Sequence, residues 1–382
     1  MFGSSFRIGR ISGITISVDY SWFIIFGLIV YLLARGYFPQ VAPDINAGWY
    51  WLYAVFTSLF FFGSVVAHEM SHALVARKRG ISIKNITLFI FGGVAQMEDE
   101  PNTPGDEFRM AIAGPLASIG IAVLFFGVAW FTGVLGSRMM FYAFAYLGFI
   151  NGILAVFNML PGFPLDGGRV FRSMLWGMMG NLRRATRIAS ITGQMFGWGL
   201  IVLGIGSLFV PQLRAGGGLI WFALIGWFLV SAAKNSYQQV VLRETLQQVP
   251  ISDVMSSDTE AVPPDITVER LVSEHFLKDS PSTLPVERDG MILGTVSVDD
   301  VRALPRERWV GTLVSEVMKP LGDEQVMGLN TDAWEATNRM AKTNSDRVIV
   351  AEGNHVEGLV TRSSIMRWLQ SHAGQGLAPG QA

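Results

Sequence analysis

Two short segments of this chain concentrate the residue types that can do chemistry. The first is His68-Glu69-Met70-Ser71-His72, an H-E-x-x-H pattern embedded in a long apolar run. Residues four apart share one face of a helix, so His68 and His72 can reach a single metal ion. Glu69 then stands beside the metal, placed to take a proton from water that zinc makes acidic. Arg77 follows His68 by nine residues, about 13 Å along a helix. That depth is inside a bilayer but near one face, where ionisable groups are costly and tend to mark function. The bland alternative is a buried, hydrogen-bonded histidine pair beside a neutralised glutamate.

A catalytic zinc usually takes a third protein ligand. The metzincin continuation is absent, because Val75 and Lys78 occupy the positions of its glycine and third histidine. Glu98 and Glu100 are one choice, although the polar run Gln96-Met97-Glu98-Asp99-Glu100 suits water better. The other is Asp166, the one acid in the stretch Asn158-Met159-Leu160-Pro161-Gly162-Phe163-Pro164-Leu165-Asp166-Gly167-Gly168. Prolines and glycines break the helix there, and broken backbone at membrane depth is tolerated where it lines a cavity or is buried in protein. An Asp-Gly turn at the membrane surface explains the same letters. On the residues alone the two readings are balanced.

The elements that must hold these residues are membrane helices. Half of the 382 residues are hydrophobic and 15% are charged, against about 25% charged in soluble domains. Apolar runs near 18–35, 49–76, 110–134, 140–160, 187–210 and 217–234 give six expected spans. The first run reads as a span and not as a cleaved signal peptide, since no small-residue cleavage site follows it. Arg7 and Arg10, Arg77 to Arg79, Arg169 to Arg187 and Lys234 fall on one side; Arg35, Arg138 and Arg214 fall on the other. The positive-inside rule then puts both termini in the cytoplasm, and the expected location is the plasma (inner) membrane. Residues 82–97 alternate well enough to predict short strands around Gly92-Gly93. There is no cysteine, which excludes disulfides, thiolate ligands and a cysteine nucleophile. A net charge of −1 argues against nucleic acid as a partner.

Together, His68-Glu69-Met70-Ser71-His72 and Asn158-x-x-Pro161-x-x-Pro164-Leu165-Asp166-Gly167-Gly168 resemble the site-2 protease family of intramembrane zinc metalloproteases. Ala113-Gly114-Pro115-Leu116 and Phe91-Gly92-Gly93-Val94 also look like the family's pattern, and the resemblance spans roughly residues 10–235. It implies one Zn2+ per chain held by His68, His72 and Asp166, with Glu69 as general base. It further implies Asn158 as an amide near the substrate carbonyl, and strands beside the site that can pair with an unwound substrate. The implied substrates are single-span membrane proteins cut within the lipid bilayer.

After about residue 248 the sequence repeats. Ile251-Ser252-Asp253-Val254-Met255 returns as Val314-Ser315-Glu316-Val317-Met318, and Gly294-Thr295-Val296-Ser297 as Gly358-Leu359-Val360-Thr361. The offset stays near 63–64 residues. Each half looks like a cystathionine-β-synthase-type (CBS) module, about 248–308 and 311–371. Paired modules of this kind often bind adenine nucleotides (ATP, ADP or AMP) and often pair into homodimers. The resemblance maps ribose and phosphate contacts onto Ser297, Asp300 and Thr361, while Ser364 replaces the second acid. The alternative is a docking or dimerisation module with no ligand.

The expected fold is therefore a polytopic α-helical membrane protein with a small β-sheet insertion, plus a cytoplasmic α/β CBS pair. Its divisions are 1–235 for the membrane domain, 236–247 for a linker, 248–371 for the CBS pair and 372–382 for a flexible tail. A CBS-regulated transporter or ion-path protein is the competing function. Transporters tend to carry internal repeats among their spans, and none is visible here.

Overall fold

A computed structural model describes residues 5–43, 45–97, 101–209, 219–256, 261–276, 283–288, 291–320, 326–343, 345–352 and 355–372. The chain divides into two compact units, Met1–Val240 and Val241–Ala382.

The first unit opens with a hairpin that the apolar pattern did not predict. Strand β1 (Ser5–Ile11) pairs antiparallel with β2 (Ile14–Asp19) across a Ser12-Gly13 turn. Both turn residues have positive φ, +49° and +81°, as a tight hairpin turn of this hand requires. Strand β2 then runs parallel to β3 (Ile83–Phe89), which pairs antiparallel with β4 (Gly92–Met97). The order is β1-β2-β3-β4, so β4 is an edge.

Helices follow from this sheet. The first, α1 (Ser21–Val41), begins after the strand because Asp19 accepts a hydrogen bond from the Ser21 amide at 2.9 Å. The others are α2 (Ala47–Lys78), α3 (Pro104–Val134), α4 (Arg138–Asn158), α5 (Asp166–Met179), α6 (Leu182–Gly206) and α7 (Leu219–Leu246). Among the described residues, α1, α2, α3, α4 and α6 are five helices long and apolar enough to cross a membrane. The sixth expected span, 217–234, begins outside the described residues, and its remainder lies in α7. The expected linker 236–247 is helical as far as Leu246. Trp130, Val134, Val156 and Val202 leave about two thirds of their surface uncovered, an arrangement suited to lipid rather than water.

The sheet packs on the end of α2 that carries the H-E-x-x-H motif. Ile14, Ile16, Ile83 and Ile86 meet Met70, Ala73 and Ala76 of α2 and Met110 of α3 in one buried cluster. This core fixes the motif's helix against both the sheet and α3.

The second unit holds a five-stranded sheet ordered β5-β6-β9-β8-β7, from β5 (Thr283–Arg288), β6 (Met291–Ser297), β7 (Val326–Met327), β8 (Arg347–Glu352) and β9 (His355–Thr361). The repeat crosses over. Ile251 and Val254, which lead the first half, are buried among Val348, Val350 and Val360 of the second. Val314, which leads the second, is buried among Val262, Leu284 and Val296 of the first. Burying such a side chain stabilises by about 1.5–3 kcal/mol, so either half alone forfeits several kcal/mol.

Candidate metal centre

Helix α2 presents His68 and His72 on its inner face, and α3 lies against that face. His68 Nδ1 is 2.8 Å from Ser118 Oγ, and His72 Nδ1 is 2.7 Å from the Met110 carbonyl oxygen. A carbonyl only accepts, so Nδ1 of His72 carries the proton and Nε2 of a neutral ring is a lone pair. Between these contacts lies Gly114. A Cβ there would come within 2.1 Å of His72 Nε2 and 2.6 Å of His68 Nε2, so no side chain fits.

The third group arrives from the broken segment after α4. The chain turns through 159–165, and Asp166 becomes the first residue of α5, where the helix dipole favours an acid. Asp166 Oδ2 is 3.1 Å from His68 Nε2 and 3.2 Å from His72 Nε2, and the two Nε2 atoms are 3.3 Å apart. Tetrahedral zinc with bonds of about 2.0–2.1 Å needs ligand separations of roughly 3.3 Å. With His68 Nδ1 donating to the Ser118 hydroxyl, both Nε2 lone pairs and the Asp166 carboxylate face one point, where a cation would satisfy all three. The donor set, its spacing and the outward anchoring of both imidazoles all fit zinc. Among the described residues this is the one grouping of three such ligands. Glu98 and Glu100, the competing acids, lie outside the described residues.

Glu69 borders the same cavity, of about 440 Å³, together with His68, Asp166 and Asn158. Gly92, Gly93 and Val94 of β4 form its opposite wall. The Gly93 backbone passes so close to Glu69 that a Cβ would sit 2.6 Å from Glu69 Cγ. Asn158 ends α4 with Nδ2 3.5 Å from His68 Nε2. Phe91, in the turn before β4, stacks on Phe228 of α7 at 4.5 Å between ring centres.

In the second unit, Ser297 and Asp300 form a reciprocal cap at the strand-to-helix turn after β6. The Asp300 amide donates to Ser297 Oγ, and the Ser297 amide and hydroxyl both donate to the Asp300 carboxylate. Lys319 pairs with the other carboxylate oxygen at 2.5 Å. Thr361 and Ser364 repeat the cap in the second half, with the Ser364 amide donating to Thr361 Oγ1 at 3.0 Å. Asp300 is thus already engaged, and a ligand there would displace Lys319 or share it. His275 and His355 fall within this unit, and His372 closes the last helix stacked on Trp368.

Ser118, Met110, Glu107 and Arg172 were not flagged by the sequence. Each acts through a partner at least 38 residues away, a distance at which no local spacing signals the contact.

A helix-borne histidine pair with an adjacent glutamate and a distant carboxylate, set among apolar helices, defines a membrane zinc metallopeptidase. Comparisons with known proteins agree. The model for Peptidase family M50 matches residues 56–143 and 134–200, and the CBS domain model matches 251–307 and 314–371. A Synechocystis sp. protein named as a zinc metalloprotease candidate is 33% identical, with 97% of each chain covered. A zinc metalloprotease of Methanocaldococcus jannaschii is 29% identical, with 95% of each covered. The solved site-2 protease from Methanocaldococcus jannaschii aligns at 27% identity and TM-score 0.43, over 61% of this chain and 95% of that one. The chain belongs to Peptidase family M50, the site-2 type of zinc metalloprotease, and carries two CBS domains.

Proposed function

We propose that this protease hydrolyses peptide bonds inside the membrane-spanning segments of single-span proteins, in regulated intramembrane proteolysis. The observation that carries the reading is the convergence of His68 Nε2, His72 Nε2 and Asp166 Oδ2 beside Glu69, on helices of membrane length. In this reading the three atoms hold the zinc ion. Lewis acidity, which acidifies water and polarises a carbonyl, is the chemistry zinc supplies in such a donor set. Glu69 takes the proton from the attacking water and returns it to the departing amine, so no acyl-enzyme forms. The Asn158 amide donates to the substrate carbonyl oxygen as its charge develops. Helical substrate hides its peptide bonds, so the substrate must first become extended. The edge strand β4, one wall of the cavity, offers backbone partners for that extended segment.

Both termini and the CBS pair lie on the cytoplasmic side in this reading, which follows from the distribution of arginine and lysine. An adenine nucleotide at Ser297, Asp300 and Thr361 modulates activity. The transporter alternative lacks a comparable support, since an ion path does not require Glu69 beside the histidine pair.

Glu69→Gln tests the mechanism, because it removes the base and spares the ligands. Cleavage of a transmembrane reporter should fall by at least about 10²-fold with zinc content unchanged. Full activity in that variant refutes the assigned role.

A further inference from the structure

One face of α3 touches both histidines of α2 and reaches α5, the helix that begins with Asp166. Glu107, Met110, Gly114 and Ser118 follow at spacings of three and four, which align them along the helix. Ser118 and the Met110 carbonyl hold the two imidazoles from behind, and Gly114 makes room for both rings. Glu107 alone on this face touches neither histidine. Its side chain is fully buried, and it accepts from Arg172 Nε of α5 at 2.7 Å and again from the same guanidinium's terminal nitrogen. Arg169 of α5 approaches the same oxygen at 3.8 Å. Arg169 is three residues from both Asp166 and Arg172, so it neighbours each along α5, while Asp166 and Arg172 themselves stand about 120° apart around the helix.

We infer that the buried Glu107–Arg172 pair is a positioning device for Asp166, setting where the third ligand stands relative to the histidines. The inference rests on the assignment of Asp166 as a zinc ligand. Helix α5 has 14 residues and begins at Asp166, with no side-chain cap from Leu165 before it. The looped segment before it packs on its first turn so closely that a Cβ at Gly167 or Gly168 would lie 2.3 Å from the Met159 or Gly162 carbonyl carbon, so loop and helix form one piece whose position on α3 must be set further along. Two charge-assisted hydrogen bonds from one guanidinium fork to a single buried oxygen, Glu107 Oε1, are directional and tolerate less sliding of α5 on α3 than apolar contacts do. The fork lies six residues beyond Asp166, about 9 Å along the helix. Arg172 also lies 4.9 Å over the Phe163 ring, and the Phe163 amide donates to the Ala189 carbonyl of α6. The same arginine therefore steadies the turn that delivers Asp166. Glu107 does for the carboxylate ligand what Ser118 and Met110 do for the imidazoles.

The test uses full-length protein in detergent, with zinc affinity read by chelator competition and the visible spectrum of the Co2+-loaded protein as a second readout. Glu107→Gln and Arg172→Lys should each weaken zinc binding by about 10–100-fold and change the cobalt bands, which report ligand geometry. Leu147→Ala, a fully buried change in α4, lowers thermal stability without touching this network, and its zinc affinity should stay within about threefold of the parent. Should Glu107→Gln fail to fold, Arg172→Lys, which keeps the charge and loses the fork, carries the test. Parent-like affinity and spectrum in a folded Arg172→Lys overturns the inference, as does equal weakening in Leu147→Ala. A parent without zinc, or an Asp166→Ala variant that keeps it, overturns the ligand assignment and this inference with it. Those two failures are told apart by the parent and Asp166→Ala measurements alone.

Discussion

At the scale of single residues, the site is an arrangement of hydrogen-bond directions. Met110 and Ser118 take the Nδ1 side of each imidazole, which turns both Nε2 atoms toward Asp166. The letters H-E-x-x-H were legible because their spacing is itself the geometry. Asp166 was half legible: its type and broken surroundings stood out, but an Asp-Gly turn fitted equally well until the fold brought it within 3.2 Å of both histidines. Asp300 illustrates the opposite case. Partial burial pushes its carboxyl up, but the hydrogen bonds from Lys319 and Ser297 outweigh this and hold it below the usual range. With the folded value depressed, the pair's stabilisation is present above about pH 4 and is lost as pH falls through that lower value. If Asp300 also contacts a nucleotide, Asp300→Ala should weaken ATP binding by about tenfold in calorimetry, near the loss of one charge-assisted hydrogen bond. Unchanged affinity, or no binding by the parent, removes the nucleotide from the account.

At the scale of elements, the sheet explains why the motif helix is held at one end. Strands β3 and β4 were legible from period-two alternation around Gly92-Gly93, and they appear at Ile83–Phe89 and Gly92–Met97. The β1–β2 hairpin was not, because Arg7 and Arg10 read as the charged flank of a span whose apolar run had already begun near residue 18. The run includes the end of β2, and the helix starts only at Ser21. Helix α5 was also missed as an element, since it is too short to span and its role is to deliver Asp166. If substrate pairs with the edge of β4, its own amides form part of the binding. A transmembrane peptide with N-methyl amides through the cleaved segment should then show a KM raised about tenfold or more with zinc content unaffected. An unchanged KM argues that substrate reaches the centre without strand pairing.

At the scale of the whole molecule, apolar runs and a repeat of about 64 residues separated the two kinds of unit in the sequence. What they could not convey was the crossover by which Ile251 and Val314 each complete the other half's core. Nor could they count spans firmly: six runs were expected, and five described helices meet the length and composition of a span. The absence of cysteine makes orientation directly measurable. A single cysteine at Ser137, between α3 and α4, should react with an impermeant maleimide added to intact cells. One at Ser371 should react only after the membrane is opened. The reverse pattern contradicts the cytoplasmic placement of the termini and the CBS pair.

The central claim is that three side chains, distant in sequence, hold one zinc ion. Zinc content of the purified protein, compared among the parent, His68→Ala and Asp166→Ala, tests it most directly. The account predicts one zinc per chain in the parent and its loss in both variants while the helical signal persists. A well-folded parent without zinc, or full retention in Asp166→Ala, contradicts it.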